Sequence, residues 1–321
     1  MAVKRPAKLQ VILNPDDTRK LILPDGIPES MEQLMDEVRK VCGLSGNLRL
    51  QYQDRDLLVN RDALVNLTST AEGEANHIPD IPTGETPEKL ENERLSLLTE
   101  AKKCNNRAVI KAKMDKTFSL RREDILAKES EVEELKERWP ALFTMDEINA
   151  EFMRITTVPL QPRFLASQHH SKLIEIIRNK GGVVREKTRN TLNVLDQSLD
   201  VNQKRECLLK CLIVYLGEDV DKLIKEYRVV QKYEAQTELE RSTMAVFVFR
   251  EDEDPLQPPH DIGIVIEGVQ VLHELPSVPH ACAMLFGLIY ALNLSYPSEH
   301  KYTFDALQKI FMEILPKKLV R

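Results

Sequence analysis

Cys207 and Cys211 stand four residues apart, which on a helix puts both thiols on one face. A zinc ion held by side chains takes about four ligands, and no second pair stands at a suitable spacing. The two therefore read as buried helical cysteines. His169 and His170 are adjacent, so on a helix their rings diverge by about 100° and do not chelate together. Glu267 lies beside Gly268 at a predicted strand end, with His273 six positions on, and is the first acid to examine for proton transfer. Its competing reading is an exposed turn carboxylate. The chain has no Gly-x-Ser-x-Gly, no His-Glu-x-x-His, no P-loop and no Gly-x-Gly-x-x-Gly. No catalytic set, cofactor or metal site is expected.

The elements that would position such residues are clearer. Between Ala281 and Leu294 the only polar side chain is Asn293, apart from the Tyr290 hydroxyl. A helix apolar on all sides is buried all round, in a core or in lipid. A bilayer takes about 20 apolar residues, and this run is shorter and stops at Ser295-Tyr296-Pro297. It predicts the central helix (279–294) of a domain spanning 139–318. Thr303 is expected to N-cap a partner helix carrying Phe304, Leu307, Ile310, Phe311 and Ile314 on one face.

At the other end, 7–82 predicts a small α+β domain. Strands are expected at 8–13 and 18–23, around Asn14-Pro15-Asp16-Asp17. Ser30 and Gln33 form a capping box for a helix that stops at Gly43. Strands follow at 47–53 and 57–59, and 77–81 is expected to close the sheet. That order is the β-grasp, as in ubiquitin-like and PB1-type modules. PB1 domains pair an acidic loop with a strand lysine. Asp54 and Asp56, followed by Asp62, resemble the loop, and Lys8 or Lys20 the basic partner. Arg55 dilutes the acidic charge and the usual Gly-Asp is missing, so a solvated polar turn is the competing reading.

Residues 83–138 are rich in Glu, Lys and Arg and predict a charged helical linker. Thr86-Pro87-Glu88 begins a helix whose thin apolar stripe runs through Leu90, Leu97, Ala101, Cys104, Ala108 and Ala112. Arg121 and Arg122 are read as part of a solvated face. Trp139-Pro140 ends the preceding helix, and Thr144 with Glu147 caps the next. Helices are then expected around 173–177, 202–216 and 219–227. A change of period at Met244 predicts an antiparallel β-meander (244–275), with a tight turn or bulge at Gly268.

The formal charge of −6 excludes the whole protein as an electrostatic partner of nucleic acid or anionic membrane. Five cysteines without framework spacing suit a reducing compartment, and the first residues lack the apolar core of a signal peptide. Cytosol or nucleus is the expected location.

Three stretches carry a family resemblance: Arg138-Trp139-Pro140-Ala141-Leu142-Phe143, the run from Glu147 to Thr157, and Gly287 to Pro297, with Ile264 to Gly268 and Tyr302 to Phe304 in support. The chain resembles an expanded vertebrate family catalogued as sterile alpha motif domain-containing protein 3-like. Members often carry a PB1-like start and a long middle segment. Here Pro82 runs almost directly into the Thr86 helix, so that segment, and with it any sterile alpha motif, is read as absent. The resemblance implies no catalytic activity. The expected function is non-catalytic interaction or scaffolding, with protein partners at the β-grasp domain and scope for self-association. The alternatives are an enzyme of unrecognised type with a pocket near Glu267 and His273, or a nuclear, nucleic-acid-associated regulator.

Overall fold

The computed structural model describes residues 7–14, 17–23, 40, 78–103, 105–127, 130–166, 168–251 and 257–314. The chain divides into two compact units, Met1–Leu67 and Thr68–Arg321. In the first, β1 (Ala7–Asn14) and β2 (Asp17–Leu23) pair antiparallel, from Ala7 opposite Leu23 to Asn14 opposite Asp17. This is the hairpin expected from the sequence. The helix from Ser30 and the strands at 47–53 and 57–59 lie outside the described residues. No strand forms over 78–81, where one was expected to close the sheet. Pro79 and Pro82 offer no N–H to a ladder, and Ile78 and Ile81 are exposed.

In the second unit, residues 83–138 are more than a linker. They form α1 (Pro87–Glu100), α2 (Arg107–Lys116), α3 (Phe118–Ala127) and α4 (Val132–Arg138). The Thr86 hydroxyl caps α1 by accepting from Lys89 N–H. The expected continuous stripe is interrupted after α1, where Asn105 takes a left-handed conformation (φ 60°). Leu97, Met114, Ile125, Val132 and Leu135 then join Trp139 in the main core. α4 stops before Trp139-Pro140, and a short 3-10 turn leads to α5 (Met145–Thr156), capped by Thr144. Next come α6 (Leu160–Phe164), α7 (His170–Asn179), α8 (Gly182–Gln197), α9 (Val201–Tyr215) and the single turn α10 (Val220–Leu223).

Beyond α10 the helical expectation fails. Ile224–Arg228 is strand β3, joined through α11 (Lys232–Leu239) to β4 (Met244–Arg250), to which it runs parallel. β5 (Asp261–Ile266) and β6 (Val269–Leu272) complete a sheet of order β3-β4-β5-β6. The expected antiparallel meander is therefore three strands of a mixed four-stranded sheet. β4 is buried along its whole length because both faces are covered. Val246 and Val248 join Ile264 and Ile266 in the main core, while Phe247 and Phe249 meet Ala235 and Leu239 of α11 on the other side. A strand covered on both faces reads as a continuous apolar run.

α12 (Val278–Ala291) is the expected central helix, buried at every position but His280 and capped by the Ser277 hydroxyl. Its 14 residues fall short of a bilayer, and no helix among the described residues is long and apolar enough to cross one. Gly287 lets α12 lie close to α5 and α6: a Cβ there would stand 2.7 Å from Ile148 and 2.5 Å from Leu160. The partner helix α13 begins earlier than expected, at Lys301–Ala306, and continues as a π turn, Leu307–Phe311. Thr303 is not its N-cap. The Glu218 carboxylate takes that place, accepting from Tyr302 N–H at 2.8 Å and Thr303 N–H at 3.0 Å.

Candidate functional site

The residues with chemical potential in the sequence are held in structural roles. Glu267 and Gly268 form the two-residue loop between β5 and β6, both left-handed (φ 52° and 76°), as a type I′ turn requires. A Cβ at Gly268 would lie 2.3 Å from Glu240 O, so the corner is tight as well as left-handed. The Glu267 carboxylate accepts from Val132 N–H at 3.0 Å, at the start of α4. His273 is exposed beside Glu274. Neither residue lines the cleft described below. His169 is part-exposed near Glu313, and His170 packs against Phe311.

Cys207 and Cys211 are buried on α9, and Cys282 on α12. Burial pushes the Cys207 thiol up to about 11 and those of Cys211 and Cys282 up to about 12. Such thiols stay protonated and unreactive at neutral pH. Among the described residues no three His, Cys, Asp or Glu side chains cluster as a metal site. Lys8 and Lys20 fall two pairs apart on the β1–β2 ladder, opposite Ile22 and Gln10 respectively. Asp54, Asp56 and Asp62 lie outside the described residues.

Sequence reasoning missed a buried charge network. Arg121 and Arg122, read as solvated, are fully buried. The Arg121 fork donates Nε to Glu151 Oε1 at 2.7 Å and Nη2 to Oε2 at 2.6 Å. Arg154 adds a third donor to Glu151 at 2.7 Å and also reaches Glu147 and Asp115. Burial alone would raise the Glu151 carboxyl, but the two guanidinium groups outweigh it and hold it below the usual range. Arg121, Arg94 and Arg138 also surround Trp139, their guanidinium carbons 5.2, 5.9 and 5.9 Å from the ring. Trp139 Nε1 donates to Asp124, which pairs with Arg138. Arg122 donates to Ala291 O at the C-terminal end of α12. These ties bind α1 to α5 onto the central helix.

A cleft of about 500 Å³ lies beside β3. α8 contributes Lys187, Thr188 and Thr191, and α9 contributes Lys210, Cys211 and Val214. β3 contributes Lys225, Glu226 and Tyr227, and α11 contributes Glu238. Lys210 Nζ is shared between Glu206 at 2.7 Å and Glu226 at 2.5 Å. Burial opposes its charge, yet the two carboxylates outweigh that and raise it. Lys225 pairs with Glu238, whose carboxyl that hydrogen bond holds low. Arg250 completes the group through Glu206 at 3.1 Å. The inner charges are thus committed to one another. Val230 and Tyr233 each stand 88% exposed on the segment that follows β3.

Residues 90–144, from α1 to the cap of α5, match the family described as Sterile alpha motif domain-containing protein 3, helical domain. The match supports membership of the chain in the sterile alpha motif domain-containing protein 3-like family. No curated protein and no solved structure matches the chain.

Proposed function

We propose that this member of the sterile alpha motif domain-containing protein 3-like family is a non-catalytic interaction or scaffold protein. It binds through a PB1-like β-grasp domain at its start and through the 68–321 unit. One observation carries the reading. In the cleft beside β3, Lys210 pairs with Glu226 and Lys225 with Glu238, while Val230 and Tyr233, on the segment that follows β3, are turned out to solvent. A catalytic acid or base needs a proton to exchange with substrate; these groups exchange hydrogen bonds with each other. Exposed aromatic and aliphatic side chains are the residues that anchor protein interfaces. The β1–β2 hairpin supports a β-grasp start, and Lys8 and Lys20 on it are the basic half of a PB1-type contact, with Asp54, Asp56 and Asp62 as the acidic half.

The test is stoichiometric co-purification with full-length chain, wild type against Lys8→Glu/Lys20→Glu and against Val230→Ser/Tyr233→Ser. A defined partner lost from either variant supports the reading. Retention of every partner by both variants, or no stoichiometric partner at all, overturns it.

A further inference from the structure

The outer edge of β3 has no neighbouring strand among the described residues, since β3 stands first in the order β3-β4-β5-β6. In a strand, alternate residues turn their N–H and C=O groups to one side. Ile224 N–H is held by Val220 O, and Arg228 N–H by the side chain of Gln231. Neither acceptor is on β4, so Ile224, Glu226 and Arg228 are the set facing away from it. Glu226, at the centre, meets no backbone partner on that side among the described residues.

The cleft lies off this edge. Its lining includes Glu226, tied to Lys210 of α9, and Lys225, tied to Glu238 of α11. Those two side chains leave opposite faces of the strand, so a space touching both is at the strand's rim, with α8 as its far wall. Open edges are ordinarily guarded by charged side chains held out over them. Here two of the three charges of β3, Lys225 and Glu226, are drawn back onto neighbouring helices, which leaves the main chain approachable around Glu226.

We propose that this edge receives an extended segment of a partner polypeptide as a fifth strand, with Val230 and Tyr233 extending the contact. The proposal rests on the interaction reading above and names its partner chemistry: a peptide backbone, with no acidic residue opposite Glu226. Of the three outward N–H groups only that of Glu226 is without a partner among the described residues, and it is this N–H and the C=O of the same residue that an added strand matches. A second copy of the chain fits less well. Two-fold antiparallel pairing centred on this five-residue strand sets Glu226 against Glu226, and like charges directly opposite are destabilising.

The experiment uses full-length protein and a random decapeptide display library, followed by amide exchange with each selected peptide. Selected peptides are expected to slow exchange at Glu226 and to lose about tenfold in affinity when one edge-facing amide is N-methylated. N-methylation alters the peptide alone, so misfolding of the protein does not confuse the result. Three outcomes overturn the proposal: no selected peptide, peptides that leave 224–228 unprotected, or a dimer whose formation itself protects that strand. Slow exchange at Glu226 in the free protein, released by removing residues 315–321, would assign the edge to the chain's own tail and also overturn it. If the edge fails while co-purification still loses a partner on Lys8→Glu/Lys20→Glu, the broader interaction reading stands.

Discussion

Glu151 is fully buried with both oxygens held by guanidinium groups, and the consequences can be measured. Removing one partner of a buried ion pair leaves the other uncompensated and costs about 3–5 kcal/mol. Arg121→Met is therefore expected to lower the urea midpoint markedly, and Arg121→Met/Glu151→Leu to lower it by less than the sum of the single changes. Linkage gives the pH dependence. The folded carboxyl lies below its ordinary 4.5, so its stabilisation is complete above pH 4.5 and is lost as pH falls through the lower, folded value. Melts of wild type and Glu151→Gln should differ most at neutral pH and converge in acid; a gap constant with pH would refute the charged pair. The thiols give a second check. Native protein treated with maleimide at pH 8 should leave Cys207, Cys211 and Cys282 unlabelled in peptide maps, and urea should expose them. None of the Arg121 chemistry was legible from its neighbours. Its partner lies 30 positions away, so a local reading saw only two arginines among acids.

Among the elements, those with an uninterrupted signal were read correctly. α12 was legible because an apolar run has nowhere to go but a core, and β4 to β6 because their residues are β-branched and aromatic. β3 was not. Ile224-Lys225-Glu226-Tyr227-Arg228 carries three charges, and its strand state comes from pairing with β4, which no local window contains. The cap of α13 was missed for the same reason, since Glu218 lies 84 residues from Tyr302. Burial along the charged helices also differed from expectation. Leu90 lies on the thin apolar stripe of a charged helix yet is 1% exposed, close to Leu288 at 0%. Leu288→Ala is expected to cost about 2–5 kcal/mol, and Leu90→Ala a comparable amount. Leu95→Ala, at a position 49% exposed, is the control and should barely move the denaturant midpoint. Gly287→Ala should cost about 1–3 kcal/mol by overpacking, because the new methyl meets Leu160 and Ile148.

For the whole molecule, the division between Leu67 and Thr68 sets what should unfold together. The sequence placed a boundary near Pro82 because the composition turns charged there, but charge content is a poor guide to packing. α1 to α4 send Leu97, Met114, Ile125 and Leu135 into the same core as α12, and their charged faces close into ion pairs such as Lys113–Glu93. The family match from residue 90 to 144 falls within that packed region, so the matched stretch is a wall of the larger unit. A chain beginning at Thr68 should therefore keep its core, its sheet and the Arg121–Glu151 network. Expressed as 68–321, it is expected to unfold in one cooperative step, with the urea midpoint of the main transition of the full chain. A shorter chain beginning at Trp139 lacks α1 to α4 and strips Glu151 of Arg121, and should expose hydrophobic surface and bind anilinonaphthalene sulfonate. If 139–321 instead melts as sharply as 68–321, the charged helices are an appendage after all and the boundary belongs beside Trp139.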